Sequence, residues 1–244
     1  MIEINKVGYV DEEMYESARM LAFQLQYELV QGACSCLFVS KDKLTLNIPG
    51  FLPLYADFHA QTWYHRRTAG KKQGLVKACK PAKGLKIIDA TAGWGRDAAI
   101  LSSLGAQVLM LERHPVMSLL LQDALLHQSQ DDKKNLPLSC LAVDAVSYFK
   151  TLPSSQFPDV IYIDPMHPQR TKSALVKKDM QALQQLIGAD KDALELIQCA
   201  LNCAQQRVVV KWPQKLRPLL APSMSIEGKT IRFDIYLSSK KVNS

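Results

Sequence analysis

The stretch L-K-I-I-D-A-T-A-G-W-G-R-D, residues 85–97, constrains this chain more than any other. Leu85, Ile87 and Ile88 form a short apolar run ending on an acid, Asp89; Thr91, Gly93 and Gly95 then lead into a helical pattern. A strand, a glycine turn and a helix start, in that order, belong to an open parallel sheet, whose ligand crevice lies outside the carboxyl ends of its strands. Glycine has no Cβ, so the turn backbone can come close to a bound molecule. Gly93, Gly95 and Ala98 also match the dinucleotide fingerprint G-x-G-x-x-[GA]. The turn alone therefore indicates a nucleotide-like cofactor without choosing among them.

The rest of the sheet reads as further strands that also end on acids. A helix over 97–104 closes at Gly105, and a second strand over 107–111 delivers Glu112, followed by Arg113 and His114. An acid roughly twenty residues after the first strand's acid can accept hydrogen bonds from both hydroxyls of an adenosine ribose. Pro115 opens a helix over 116–128 in the first-turn position proline favours. A third strand over 138–143 ends at Asp144 and Ala145, where the acid either faces the amino edge of adenine or caps the helix over 145–152; the two roles are compatible. The fourth strand, 159–163, ends in Asp164, Pro165, Met166, His167 and Pro168. After a helix over 192–205 come a β-branched fifth strand, 207–211, and a hairpin of 225–227 and 232–237 around Gly228. Five β/α units closed by an antiparallel hairpin describe a methyltransferase sheet better than a dehydrogenase sheet, whose last strand is parallel.

The segment after the fourth strand carries readable chemistry. An acid, a proline and a flat side chain at that strand end resemble the Asp/Asn-Pro-Pro-aromatic pattern of enzymes that methylate exocyclic amines. The lone pair of such an amine is delocalised into its ring, which makes it a poor nucleophile. A carboxylate that accepts one N–H bond, with a backbone carbonyl accepting the other, aligns the lone pair with an incoming methyl. Asp164, Pro165 and His167 are the expected catalytic group.

The remaining segments set the setting. Residues 1–50 read as a small α/β extension, with a helix over 12–29 and a hairpin over 36–48, and serve either for packing or for substrate recognition. Residues 51–83 interleave Phe58, Trp63, Tyr64 and His65 with Arg66, Arg67, Lys71, Lys72, Lys77 and Lys80, and 84–244 form the cofactor domain. Aromatics among cations either stack bases and neutralise phosphates or pack beneath a solvated helix face. A net charge of +7 favours an anionic partner, and Arg66, Arg67, Arg170, Lys172, Lys177 and Lys178 are the expected RNA contacts. The six cysteines lack a paired C-x-x-C arrangement and have no histidine at zinc-site spacing, so they read as reduced thiols, with no metal expected. With neither a signal-peptide pattern nor a long apolar run, a cytoplasmic protein without a membrane span is expected. No feature points to an obligate protein partner.

The strings D-A-T-A-G-W-G-R-D-A (89–98), M-L-E-R-H-P (110–115), Y-I-D-P-M-H-P (162–168), K-S-A-L-V-K-K-D-M (172–180), R-V-V-V-K-W-P (207–213) and R-F-D-I-Y (232–236) together resemble the RsmJ family. Members of that family are small-subunit ribosomal RNA guanine-N2 methyltransferases that use S-adenosylmethionine. The likeness runs from about His65 to Tyr236, while the first 50 residues match poorly. It implies a class I methyltransferase fold: a Rossmann-like, mostly parallel seven-stranded sheet with a C-terminal antiparallel hairpin, here with the N-terminal extension added. It implies cofactor contacts at Arg96 and Asp97, at Glu112 and Arg113, at Asp144 and Ala145, and at Asp164, beside the turn residues Asp89, Gly93 and Gly95. The substrate it implies is 16S ribosomal RNA or the small ribosomal subunit, at guanosine 1516. In two places the chain departs from the family pattern. His167 stands where an aromatic such as Phe is usual, and H-A-Q-T-W-Y replaces a glycine-rich lead before His65. Two other readings share the fold: an NAD-dependent oxidoreductase and a non-catalytic RNA-binding protein.

Overall fold

The computed structural model describes residues 4–32, 35–63, 73–166, 186–188, 190 and 192–238. It divides into two compact units, one of residues 1–57, 114–127 and 166–189, the other of 58–113, 128–165 and 190–244.

The first unit holds a four-stranded sheet in the order β2-β1-β3-β4. Its strands are β1 (Lys6–Tyr9), β2 (Glu28–Gln31), β3 (Cys36–Val39) and β4 (Leu44–Asn47), with helix α1 (Tyr15–Leu25) between the first two. The hairpin expected over 36–48 is β3 and β4, which pair antiparallel. The helix expected over 12–29 is shorter. A 3-10 turn occupies Glu12–Met14, and α1 stops at Gln26, which takes a left-handed conformation at φ 58°. Leu29 and Val30, with Glu28 and Gln31, then pair in parallel with β1. Helical spacing of apolar residues cannot reveal that switch, because the competing partner lies about twenty residues upstream. Gly8 in β1 is needed for packing, since a Cβ there would lie 2.7 Å from the sulfur of Cys36. Helix α4 (Pro115–Leu126) belongs to this unit and begins on the proline expected to open it. The Leu44 N–H donates to Asp123 of α4 at 2.8 Å, fixing the start of β4.

The second unit is built on a seven-stranded sheet in the order β10-β11-β9-β8-β5-β6-β7. Strands β5 (Lys86–Asp89), β6 (Gln107–Glu112), β7 (Leu138–Ala142), β8 (Val160–Ile163) and β9 (Arg207–Pro213) are mutually parallel. Strands β10 (Met224–Glu227) and β11 (Ile231–Leu237) form the antiparallel hairpin, with β11 paired to β9. The class I sheet expected from the sequence is present. Successive side chains on a strand point to opposite faces, so residue parity sorts this sheet. Ile88, Leu111, Ile161, Ile163, Val208, Val210 and Trp212 pack with helices α6 (Ala145–Thr151) and α7 (Ala193–Cys203) on one face. The alternate positions, including Asp89, Glu112, Tyr162 and Lys211, project to the other, where α3 (Arg96–Ser103) lies.

Two features of this unit differ from simple periodic reading. Helix α5 (Gln130–Asn135), sequence Q-D-D-K-K-N, buries no residue. It is held instead by a capping box in which Ser129 and Asp132 exchange hydrogen bonds. Asp132 also accepts from the Ala60 N–H at 2.7 Å and lies 3.3 Å from His59 Nδ1. In the same segment Phe58 and Trp63 are buried and do not present their rings for base stacking. Helix α2 (Gly74–Cys79) starts on a glycine whose Cβ would meet the Phe233 ring at 2.6 Å.

Asp132 makes the acid stability of this unit predictable. Partial burial pushes its carboxyl up, but hydrogen bonds from Ala60 N–H, the Ser129 hydroxyl and N–H, and His59 outweigh that and bring it down to about 2. Because the folded value lies below the unfolded one, this stabilisation is complete above about pH 4 and lost as pH falls through about 2. Asp132→Asn should therefore cost on the order of 1–2 kcal/mol at pH 7 and flatten the stability profile below pH 4. Urea unfolding midpoints measured across that window check both effects. A parallel loss at every pH would show that titration of Asp132 is not the cause.

Candidate active site

The turn after β5 is pinned to the strands on both sides. The Ala90 N–H donates to the Tyr162 carbonyl of β8 at 2.9 Å, and the Ala92 N–H to the Leu111 carbonyl of β6 at 3.2 Å. Gly93 and Gly95 have φ of +53° and +68°, left-handed values that a side chain resists, and Gly95 is the N-cap of α3. The Gly93 N–H donates to Glu112 Oε2 at 3.0 Å, and the Thr91 N–H to Asp89 Oδ1 at 3.1 Å. The strand-end acids thus hold the turn as well as face it.

Strand register brings several of the expected residues together. Asp89 lies directly across from Tyr162 and Met110 in the sheet and is buried. Burial lifts its carboxyl to about 8; the Thr91 N–H opposes the rise, and the nearby carboxylates of Asp97, Asp164 and Glu112 add to it. Asp89 is therefore largely protonated at neutral pH. Glu112 is buried beside it. Arg96 and Asp97 open α3. Asp164 follows β8, and its backbone N–H donates to the Thr91 hydroxyl at 2.6 Å, which ties the fourth strand end to the glycine turn. Pro165 comes next and is buried.

Two further residues complete this network. The Lys211 ammonium, on β9, donates to Asp164 Oδ2 at 2.6 Å and to Asp97 Oδ2 at 3.2 Å. The phenol of the fully buried Tyr162 donates to the same Asp97 oxygen at 2.6 Å. Burial pulls Lys211 down, but the carboxylates of Asp164 and Asp97 outweigh it and leave the ammonium above the usual lysine range. Burial raises the Asp164 carboxyl, Lys211 opposes that rise, and Asp97 adds to it. Burial and then Asp97 push the Tyr162 phenol well up, so it stays a donor. Neither Lys211 nor Tyr162 was expected from the sequence. A lone cation near the end of the apolar run V-V-V-K-W-P was the available signal.

Asp144 and Arg113 form a second group. Asp144 caps α6, its Oδ1 accepting from the Ser147 N–H at 2.9 Å, with Ala145 as the first helical residue. The Arg113 guanidinium pairs with Asp190, with Asp192 at 2.6 Å and with Asp144 at 3.7 Å. Arg66, Arg67, His167, Arg170, Lys172, Lys177 and Lys178 lie outside the described residues.

Comparison with known proteins gives this geometry a family. The chain matches the model of the SAM-dependent methyltransferase family over residues 20–238. It is 59% identical to ribosomal RNA small subunit methyltransferase J of Legionella pneumophila (strain Lens), over 97% of this chain and 98% of that one. The chain belongs to this family. A protein of the same name from Coxiella burnetii (strain RSA 331) is 48% identical, over 76% of this chain and 75% of its own. Among solved structures, a SAM-dependent methyltransferase from Neisseria gonorrhoeae is 29% identical, with a TM-score of 0.70 and 96% of each chain covered. The enzyme is a methyltransferase and its cofactor is S-adenosylmethionine, which decides between the readings that the glycine turn left open. Among the described residues no helix is long and apolar enough to cross a membrane.

Proposed function

We propose that this enzyme methylates the exocyclic N2 of a guanosine in 16S ribosomal RNA, by family likeness guanosine 1516. The observation that carries the reading is the hydrogen bond from the Asp164 N–H to Thr91, which joins the acid suited to an amine to the turn suited to a cofactor. The residues present fit S-adenosylmethionine. Left-handed glycines leave room for close approach, and buried carboxyl groups supply acceptors for hydroxyl and amino donors. Glu112 would hold the ribose hydroxyls, Asp144 the adenine amino edge, and Arg96, Asp97 and Arg113 the remaining polar groups.

When bound, S-adenosylmethionine supplies a methyl on a positively charged sulfur, a carbon that needs no further activation. The protein's task is orientation. Asp164 accepts an N–H bond from the target amine, and a backbone carbonyl at the Asp164–Pro165 turn accepts the second, which turns the nitrogen lone pair out of the ring plane. The proton shed by N2 passes to solvent, so no dedicated base is required. Arg66, Arg67, Arg170, Lys172, Lys177 and Lys178 contact RNA phosphates, and His167 stacks on the target base.

Incubation with radiolabelled S-adenosylmethionine and unmodified 16S RNA, either naked or in small subunits, tests this reading. Label should appear in N2-methylguanosine after digestion. Label in another nucleoside, or tight RNA binding without incorporation, would overturn it.

A further inference from the structure

We infer that Lys211 is a positioning residue for methyl transfer: its ion pairs with Asp97 and Asp164 hold the Asp164 carboxylate charged and aimed, so that it meets the target amine as an acceptor. The inference rests on the reading that Asp164 presents that amine.

The geometry is specific. The register pairs Ile163 with Val210, so Lys211 lies beside Asp164 at the carboxyl ends of neighbouring parallel strands. Its parity puts it on the face of the sheet that carries Tyr162 and Asp89, away from the core of β8 and β9. Its side chain is 25% exposed, and those of its partners 27% and 32%, so the three charges meet in a partly dry place. Asp97 is fixed by the Tyr162 phenol and Asp164 by its backbone bond to Thr91. The ammonium therefore ties the Asp164 carboxylate, whose backbone alone Thr91 fixes, to the anchored carboxylate of Asp97, and its position determines the direction of the Asp164 Oδ2 oxygen.

Charge acts together with this geometry. Among the described residues, the groups that act on Asp164 are Lys211 from β9, Asp97 from α3, Asp190, Asp89 from the adjoining strand β5 and Tyr162 from β8, the strand that Asp164 follows. Asp97 and Asp190 repel its anion, and burial penalises that anion as well. Among the described residues, Lys211 is the cation that touches it. An exocyclic amine offers N–H donors and a delocalised lone pair, so protonation of Asp164 weakens it as an acceptor and, on the oxygen that faces the amine, sets a donor against a donor. Removing Lys211 leaves two partly buried carboxylates uncompensated and drives Asp164 toward that unproductive form.

Wild type, Lys211→Met, Lys211→Arg and Asp164→Asn are to be compared by two readouts. One is the pH profile of single-turnover methyl transfer to 16S RNA. The other is a carboxyl-carbon NMR titration of the ligand-free protein labelled at aspartate, with Asp164→Asn identifying the resonance. Lys211→Met should lower the single-turnover rate at saturating cofactor about 10- to 100-fold at pH 7 while changing RNA affinity by no more than about threefold. It should also move both the acidic limb of the profile and the Asp164 titration upward by about a unit or more. Lys211→Arg should restore the titration and most of the rate. Should the methionine variant fail to fold, Lys211→Gln, which keeps an N–H donor without the charge, is read in the same way. An unchanged acidic limb and an unchanged Asp164 titration in the neutral variant overturn the inference, even if the rate falls. Full turnover by Asp164→Asn would instead sink the role given to Asp164, whatever Lys211 does.

Discussion

Asp164→Ala should lower the single-turnover rate of methyl transfer by about 10²- to 10⁴-fold while leaving RNA affinity within about threefold of wild type. The carboxylate orients the amine only as the lone pair turns toward the methyl carbon, so its loss falls on the chemical step. Affinity for RNA comes mainly from phosphate contacts, to which an acid adds nothing. The variant should fold. The backbone N–H of residue 164 keeps its bond to Thr91, and Lys211 keeps Asp97 as a partner. Asp164→Asn keeps an acceptor oxygen but can turn its amide the wrong way, so an intermediate rate is expected. Rapid-quench methyl transfer with enzyme in excess, beside filter binding of the same RNA, separates the two quantities. A variant with wild-type turnover would remove Asp164 from the mechanism.

Glu112→Ala should weaken S-adenosylhomocysteine binding about a hundredfold. Two hydrogen bonds from ribose hydroxyls to a carboxylate are together worth about 3 kcal/mol or more, and about 1.4 kcal/mol corresponds to a factor of ten. The same substitution also takes away the acceptor for the Gly93 N–H, which loosens the turn the cofactor meets. Glu112→Gln keeps acceptor oxygen without the charge and should lose less. Titration calorimetry of the two variants checks the order. Equal affinity in wild type and Glu112→Ala would place the ribose elsewhere.

These expectations depend on residues that differ in how visible they are in the sequence. Asp89, Glu112 and Asp164 are legible because each sits directly after a short apolar run, where a strand end must be, and the glycines after Asp89 mark the turn by backbone necessity. The sheet itself is legible for the same reason, since strands alternating with helical patterns leave few arrangements. Lys211 and Tyr162 are not legible. Each lies within a strand, and its partner is set by register between segments far apart in the chain: Asp97 is 65 residues from Tyr162 and 114 from Lys211. Strand β2 escaped notice because its parallel partner β1 is also non-local, so the apolar spacing of α1 runs on into it without a visible break. Helix α5 escaped because it has no apolar face, although Ser129 and Asp132 carry its capping signature. The aromatic segment left one point open: Phe58 and Trp63 read equally as stacking platforms or as buried rings, and burial is decided by tertiary packing that composition does not encode.

A crystal structure of the enzyme with S-adenosylhomocysteine tests most directly whether the glycine turn and the fourth strand end make one site. The adenosyl ribose should lie within hydrogen-bond distance of Glu112, with the sulfur opening toward Asp164 and Lys211 still bridging Asp97 and Asp164. A product molecule seated with its sulfur out of reach of any base that Asp164 could hold would contradict the account.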